Sequence, residues 1–480
     1  MNFFVNQAMG VGNSGVEHAQ FYRAKRFDQA NLPYRFIFVE LIKNLHEAMD
    51  VWQIKDDQVI NMWEYFVLGE DYAVSGLTRR STAEFRMLVD QTKTNRMSEA
   101  RTTSGLRIRE FYVKKPNPDK PETLLVSTDR VELFNIWTGQ LMVSYRKRVV
   151  GTESQITNIH LYHQANDQHL YFQNMVLLKR YFFHQLNRLY GGQNTFIVDR
   201  GEDNEVALFD DPVADWHKVD VVHADHLSDR NVLSAPLWNN YYEYVLTHLN
   251  QIDRLVVATE MQRQDLLQDF PTEADKIVTI PVGGVNDHVD AIETHTLMHP
   301  VKLVTISRLA TEKHIDLIVQ AVVKLHRAGH AVTLDIFGQG ETRSKLNDLI
   351  QREDAREYIE LKGLTKQPEA EYPHYDAFIS ASYSEGFGLT YIEAMSAALP
   401  VITFNARFGA IELVHDGVNG FLRPFKRDDE AFNVEQLTLG IEQLVAVQDY
   451  PALQRQVVES VTDYQDHVIA EKWRRLIHEL

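Results

Sequence analysis

A chain of 480 residues with 44% hydrophobic content is too long for one core, because single cores rarely grow past roughly 250 to 300 residues. It contains no cysteine, which excludes disulfides and thiolate metal sites and fits a reducing compartment, and its net charge of -18 disfavours a nucleic-acid binder. The N-terminus lacks a signal peptide's basic region and long apolar core, and no apolar run reaches the roughly 18 residues a membrane span needs. The expected location is cytoplasmic, with contact to the inner face of the cell membrane at most.

In chain order, Asn2 to Gln7 reads as a strand. It is followed by Gly10-Val11-Gly12-Asn13-Ser14-Gly15 and a helix begun by Ser14, with Glu17 in capping-box position. Tyr34 to Val39 is a second strand, so residues 1–45 open a Rossmann-like lobe with a parallel sheet. The Gly-rich turn offers Ser14 and Gly15 to a phosphate, and Glu40 lies where a dinucleotide fold holds its ribose. Nothing downstream resembles a hydride-transfer site, so a nicotinamide enzyme is not expected.

Residues 46–169 alternate apolar and polar positions, as in Leu106-Arg107-Ile108-Arg109, and predict an antiparallel β-rich insertion with a short helix over Ser81 to Thr92. Arg79, Arg80, Arg86, Lys93, Arg96, Arg101, Arg107, Arg109, Lys114 and Lys115 make this region basic in an acidic chain. It reads either as a solvated sheet face or as a docking face. Residues 170–290 return to the βα rhythm and complete the first lobe: a helix over Leu170 to Tyr190, then strands at Thr195 to Val198, Lys218 to Val222 and Leu255 to Thr259. A Pro- and Gly-containing linker near 280–300 leads into a second Rossmann-like lobe, 291–449, and 450–480 is a helical segment packing across the lobes.

Two loops of the second lobe carry chemistry. Ser307-Arg308-Leu309-Ala310-Thr311-Glu312-Lys313 follows its first strand, so Arg308 and Lys313 stand at the ligand edge of a parallel sheet, where two cations can neutralise a diphosphate. Glu385-Gly386-Phe387-Gly388-Leu389-Thr390-Tyr391-Ile392-Glu393 lies between a strand and a helix. Its glycines let backbone close on a ligand, and the N–H groups from Phe387 to Thr390 can receive a phosphate. In the first lobe, Val222-His223-Ala224-Asp225-His226 ends a strand. His223 is the candidate facing the cleft and His226 the reserve. A metal site from His223, Asp225 and His226 is disfavoured, because alternate residues point oppositely.

Glu385 and Glu393 with seven residues between them, plus Arg308 and Lys313, resemble the donor-site signature of retaining GT-B glycosyltransferases. The resemblance implies an α/β GT-B fold in which Glu385 contacts the donor sugar, Glu393 the ribose, and Arg308 and Lys313 the diphosphate, with no metal required. His223 would face the sugar, and Gly338 and Leu364 join the nucleotide site. The opening Gly10 to Arg26, the insertion, His223 to His226 and Trp238-Asn239-Asn240-Tyr241-Tyr242 are similar to GtfA-type catalytic subunits that O-glycosylate serine-rich repeat adhesins of the accessory secretion system. That implies UDP-GlcNAc or UDP-glucose as donor, a serine-rich repeat protein as acceptor, and a non-catalytic partner subunit or a homo-oligomer. A sister group glycosylates wall teichoic acid and is the alternative.

Overall fold

The structure is a computed structural model that describes the chain apart from residues 12–14, 90–95, 118, 119, 121, 151, 152, 200, 202, 231, 233, 234, 289–293 and 366. Ser14, with Gly12 and Asn13 of the Gly-rich turn, lies outside the described residues, as does Lys93. Two parallel sheets form two lobes. The first has seven strands in the spatial order Ile277–Thr279, Arg254–Val257, His217–Val222, Thr195–Val198, Asn2–Asn6, Tyr34–Phe38, Val59–Asn61. The second has six, in the order Ile359–Gly363, Val332–Phe337, Val301–Ile306, Ala377–Ile379, Val401–Phe404, Gly420–Arg423. Central strands such as Thr195–Val198 and Val401–Phe404 are buried throughout, because helices cover both faces and near-continuous apolar runs are the stable solution.

A seven-stranded antiparallel sheet, from Glu84–Val89 to Gln168–Asn174, is inserted in the first lobe. Its inward positions Ile108, Val131, Leu133, Val143 and Leu161 are buried with the lobe core, while the alternate positions face water. The insertion starts later than 46. Val59–Asn61 pairs in parallel with Tyr34–Phe38, and the helices Leu45–Trp52, Met62–Leu68 and Glu70–Ser75 belong with that lobe sheet. The helix expected over Ser81 to Thr92 is instead a strand, Glu84–Val89, whose six residues all pair with Arg96–Arg101; tertiary pairing overrides the helix propensity of Glu, Arg, Met and Leu. Likewise the helix expected from Leu170 begins at Met175. Residues through Asn174 pair with the preceding strand, and the Asn174 side chain caps the helix by accepting from Leu177 N at 3.1 Å.

Much of the basic character of the insertion is consumed internally. Arg79 stacks over Trp137 at 3.7 Å, Arg107 and Arg109 lie over Phe134, Arg109 pairs with Glu99 at 2.7 Å, and Arg80 holds Asp50 and Asp56. These contacts favour the solvated-face reading for that end of the sheet. The C-terminal helix Asp466–Glu479 packs on helix Gly15–Gln29 of the first lobe through Trp473 against Phe27 and through Asp466, which accepts from Tyr22 Oη at 2.7 Å. Among the described residues no helix is long and apolar enough to cross a membrane.

Candidate active site

The second lobe aligns its loops at the C-terminal ends of its strands. Strand Val301–Ile306 delivers Ser307 and Arg308, and the short 3-10 turn Thr311–Lys313 ends at His314, whose φ of 44° turns the chain into the helix Ile315–Arg327. Lys313 Nζ then donates to Glu385 Oε1 at 2.6 Å and to Ser382 Oγ at 3.3 Å. The predicted cation and acid thus meet from two loops, 72 residues apart in sequence. Arg308 does not join them directly. It is 65% exposed and pairs with Glu312 at 2.7 Å, on the same turn as Lys313.

The loop from Glu385 to Gly388 allows close approach. A Cβ on Gly386 would stand 2.4 Å from the His223 carbonyl oxygen, so this loop touches the first lobe through bare backbone. Gly388, at φ 88°, caps the helix Leu389–Ser396, and the Phe387 side chain is buried behind it. The opening N–H groups of that helix, at Leu389 and Thr390, have no acceptor within it and point out of its N-terminus. Further along, Glu393 accepts from buried Tyr372 Oη at 3.3 Å, and burial pushes its carboxyl up to about 7. Gly338 is needed where it is: at φ 139°, its Cβ would lie 1.9 Å from the Ser307 carbonyl. Gly338 N donates to Gly363 O at 2.8 Å, which sets exposed Leu364 beside it. In the first lobe Gly15 begins the helix with open space where a Cβ would be, so no crowding demands a glycine there.

His223 sits at the end of strand His217–Val222 and faces inward. Its Nε2 is 2.9 Å from Asp199 Oδ1, and its backbone N donates to Tyr242 Oη at 3.0 Å. Asp199 also receives Arg23 Nη1 at 2.9 Å, a second Arg23 contact through Nη2, and Gln20 Nε2 at 2.5 Å. Burial opposes its ionisation, but Arg23 and His223 outweigh that and hold the carboxyl down at about 2. An ionised carboxylate only accepts, so Nε2 carries the proton. Asp199, Arg23 and Gln20 complete this cluster: Gln20 and Arg23 come from one helix, Gly15–Gln29, and lie within the opening segment singled out above, whereas no sequence motif indicates Asp199.

His226, the reserve candidate, is fully buried. It stacks on Phe408 with ring centroids 5.6 Å apart, and its Nε2 lies 3.6 Å from Asp265. Burial, offset only in part by Asp225 and Asp265 and reinforced by Arg230 and Arg407, lowers it to about 4. His223 and His226 therefore face different partners and do not share a ligand position.

This geometry can be set beside known proteins. Residues 293–443 match the Glycosyl transferases group 1 family. The UDP-N-acetylglucosamine–peptide N-acetylglucosaminyltransferase GtfA subunit of Streptococcus gordonii is 31% identical, over 88% of this chain and 87% of its own. The chain belongs to the GtfA family. A crystal structure of the pneumococcal O-GlcNAc transferase GtfA in complex with UDP and GlcNAc has a TM-score of 0.74 at 26% identity, covering 100% of this chain and 98% of that one. This GtfA-family chain accordingly has the GT-B fold, with the antiparallel sheet inserted in its first lobe. A more distant relative is the poly(ribitol-phosphate) alpha-N-acetylglucosaminyltransferase of Staphylococcus aureus strain COL, 22% identical over 99% of both chains.

Proposed function

We propose that this GtfA-family chain is a retaining glycosyltransferase that moves N-acetylglucosamine from UDP-GlcNAc, or glucose from UDP-glucose, to Ser and Thr hydroxyls of a serine-rich surface protein before export. The observation that carries the reading is the Lys313–Glu385 contact at the mouth of the helix Leu389–Ser396, one charge for a diphosphate and one for a sugar. Arg308 and Lys313 neutralise the leaving diphosphate in place of a metal. The N–H groups at Leu389 and Thr390 receive phosphoryl oxygens, and Glu393 accepts from ribose hydroxyls. The C1–O bond to the diphosphate breaks with its electron pair leaving on UDP. The acceptor oxygen bonds C1 on the same face, and its proton passes to the departing phosphoryl oxygen. Glu385 and His223 steady the sugar as positive charge develops at C1.

Supporting contexts are a cytoplasmic location at the inner membrane face and either a non-catalytic partner subunit or a homo-oligomer. A teichoic-acid acceptor is the second reading, favoured by exposed cations on the insertion such as Arg86 and Lys115. Incubation with radiolabelled UDP-GlcNAc and either a serine-rich peptide or poly(ribitol phosphate) tests the choice. Label on the peptide is expected; label on the polyol phosphate alone overturns the protein acceptor.

A further inference from the structure

The lobes touch along a seam beside the donor loop. Phe408, fully buried in the second lobe, stacks on His226 of the first and lies beneath Arg230, 5.0 Å from its guanidinium. Its neighbour Arg407 donates to Asp265 Oδ1 at 3.0 Å, in the first-lobe helix Glu260–Asp269. Four residues past Phe408, the Glu412 carboxylate accepts from Glu260 N at 3.0 Å and Met261 N at 2.8 Å. A second-lobe acid thus caps a first-lobe helix, where the helix dipole favours negative charge.

The same segment grips the donor loop. Glu385 N donates to Arg407 O at 2.9 Å, Phe408 N to Glu385 O at 2.5 Å, and Gly409 N to Glu385 O at 3.1 Å. Glu385 therefore hangs from a segment whose other side is held by the first lobe. Arg407, whose side chain is 43% exposed, and the exposed cap at Glu260 can exchange their partners for water when the lobes part, unlike the sealed Arg23–Asp199 pair.

We propose that residues 407–412 are a closure latch that positions Glu385. With the lobes together, Arg407 on Asp265 and Glu412 on the helix N-terminus fix the segment, and the 385–408 bridge carries that fixation into the donor loop. With the lobes apart, the segment and Glu385 are released. Arg407, Phe408 and Glu412 act through Glu385 and are positioning residues. The catalytic consequence rests on the donor-site reading above, whereas the lobe separation does not depend on it.

The chain has no cysteine, so Thr272→Cys in the first lobe and Lys345→Cys in the second take spin labels without background. Interlobe distances by double electron–electron resonance should lengthen and broaden in Arg407→Ala and in Glu412→Gln, with Arg407→Lys restoring much of the short population. Turnover of UDP-GlcNAc should fall about tenfold or more in the first two, with UDP affinity within threefold of wild type. Unchanged distances, unaffected turnover, or equal loss of UDP affinity and turnover would overturn the latch. A wild-type chain inert toward every UDP-sugar would sink the donor reading and leave the distances to judge the latch.

Discussion

Asp199 Oδ1 lies 2.9 Å from His223 Nε2, and the same carboxylate is locked by Arg23 and Gln20. The pair places a proton on Nε2, because the ionised carboxylate can only accept. Asp199→Asn should lower kcat/KM for a UDP-sugar by about 100-fold. It should also destabilise the fold by about 3 kcal/mol, because Arg23 is left buried without its counter-charge. His223→Ala spares that ion pair and should lose comparable activity with little change in Tm. Equal Tm losses in both variants, measured by thermal melts, would contradict the assignment.

Glu385→Gln keeps the shape of the donor loop and removes its charge. Activity should drop about 100-fold while UDP affinity stays within threefold; Lys313→Ala should weaken both, since it removes charge opposite the diphosphate. Calorimetric titration of UDP beside turnover assays separates the two, and full activity in Glu385→Gln would remove that residue from the site.

Gly386→Ala puts a methyl group 2.4 Å from the His223 carbonyl. The neighbour is backbone on the opposite lobe, so the strain is relieved by holding the lobes apart rather than by a side-chain shift. Turnover should fall at least 100-fold with Tm nearly unchanged; wild-type turnover would show that the lobes need not approach this closely.

Glu393 gives a pH signature. Burial raises it to about 7, so it is largely protonated at pH 6 and ionised at pH 8. If the carboxylate accepts from ribose, UDP-GlcNAc binding must release that proton, and affinity should rise about tenfold from pH 6 to pH 8. Glu393→Gln should flatten the dependence. The sugar nucleotide is the right probe because its phosphates do not titrate in that window.

His226 links stability to acid. Its folded value of about 4 lies below the unfolded 6.5, so the unfolded chain binds the proton more readily. The stability it contributes is complete above pH 6.5 and is lost as pH falls toward 4, by about 2 to 3 kcal/mol. Urea denaturation at pH 7.5 and 4.5 should show that loss in wild type and less of it in His226→Phe.

The readable parts of the site were local. Arg308, Lys313 and Glu385 sit on strand-to-helix loops and Glu393 in the helix Leu389–Ser396 that follows, so their spacing is set by short segments and a linear pattern reports them. Asp199, Arg23 and Gln20 share no such pattern: the order of strands in the first sheet brings residue 199 beside 23 and 223. The latch at Arg407 and Glu412 depends on how two lobes face each other, which spacing does not encode. Glu84–Val89 and Leu170–Asn174 lack a decisive local signal, and their strand neighbours decide.

The most direct test of the donor site is a screen of UDP-sugars for UDP release by wild type and by Lys313→Ala. UDP release from UDP-GlcNAc or UDP-glucose that collapses in the variant is the predicted result. No release from any UDP-sugar, or release that ignores Lys313, would contradict a donor site built on Lys313 and Glu385.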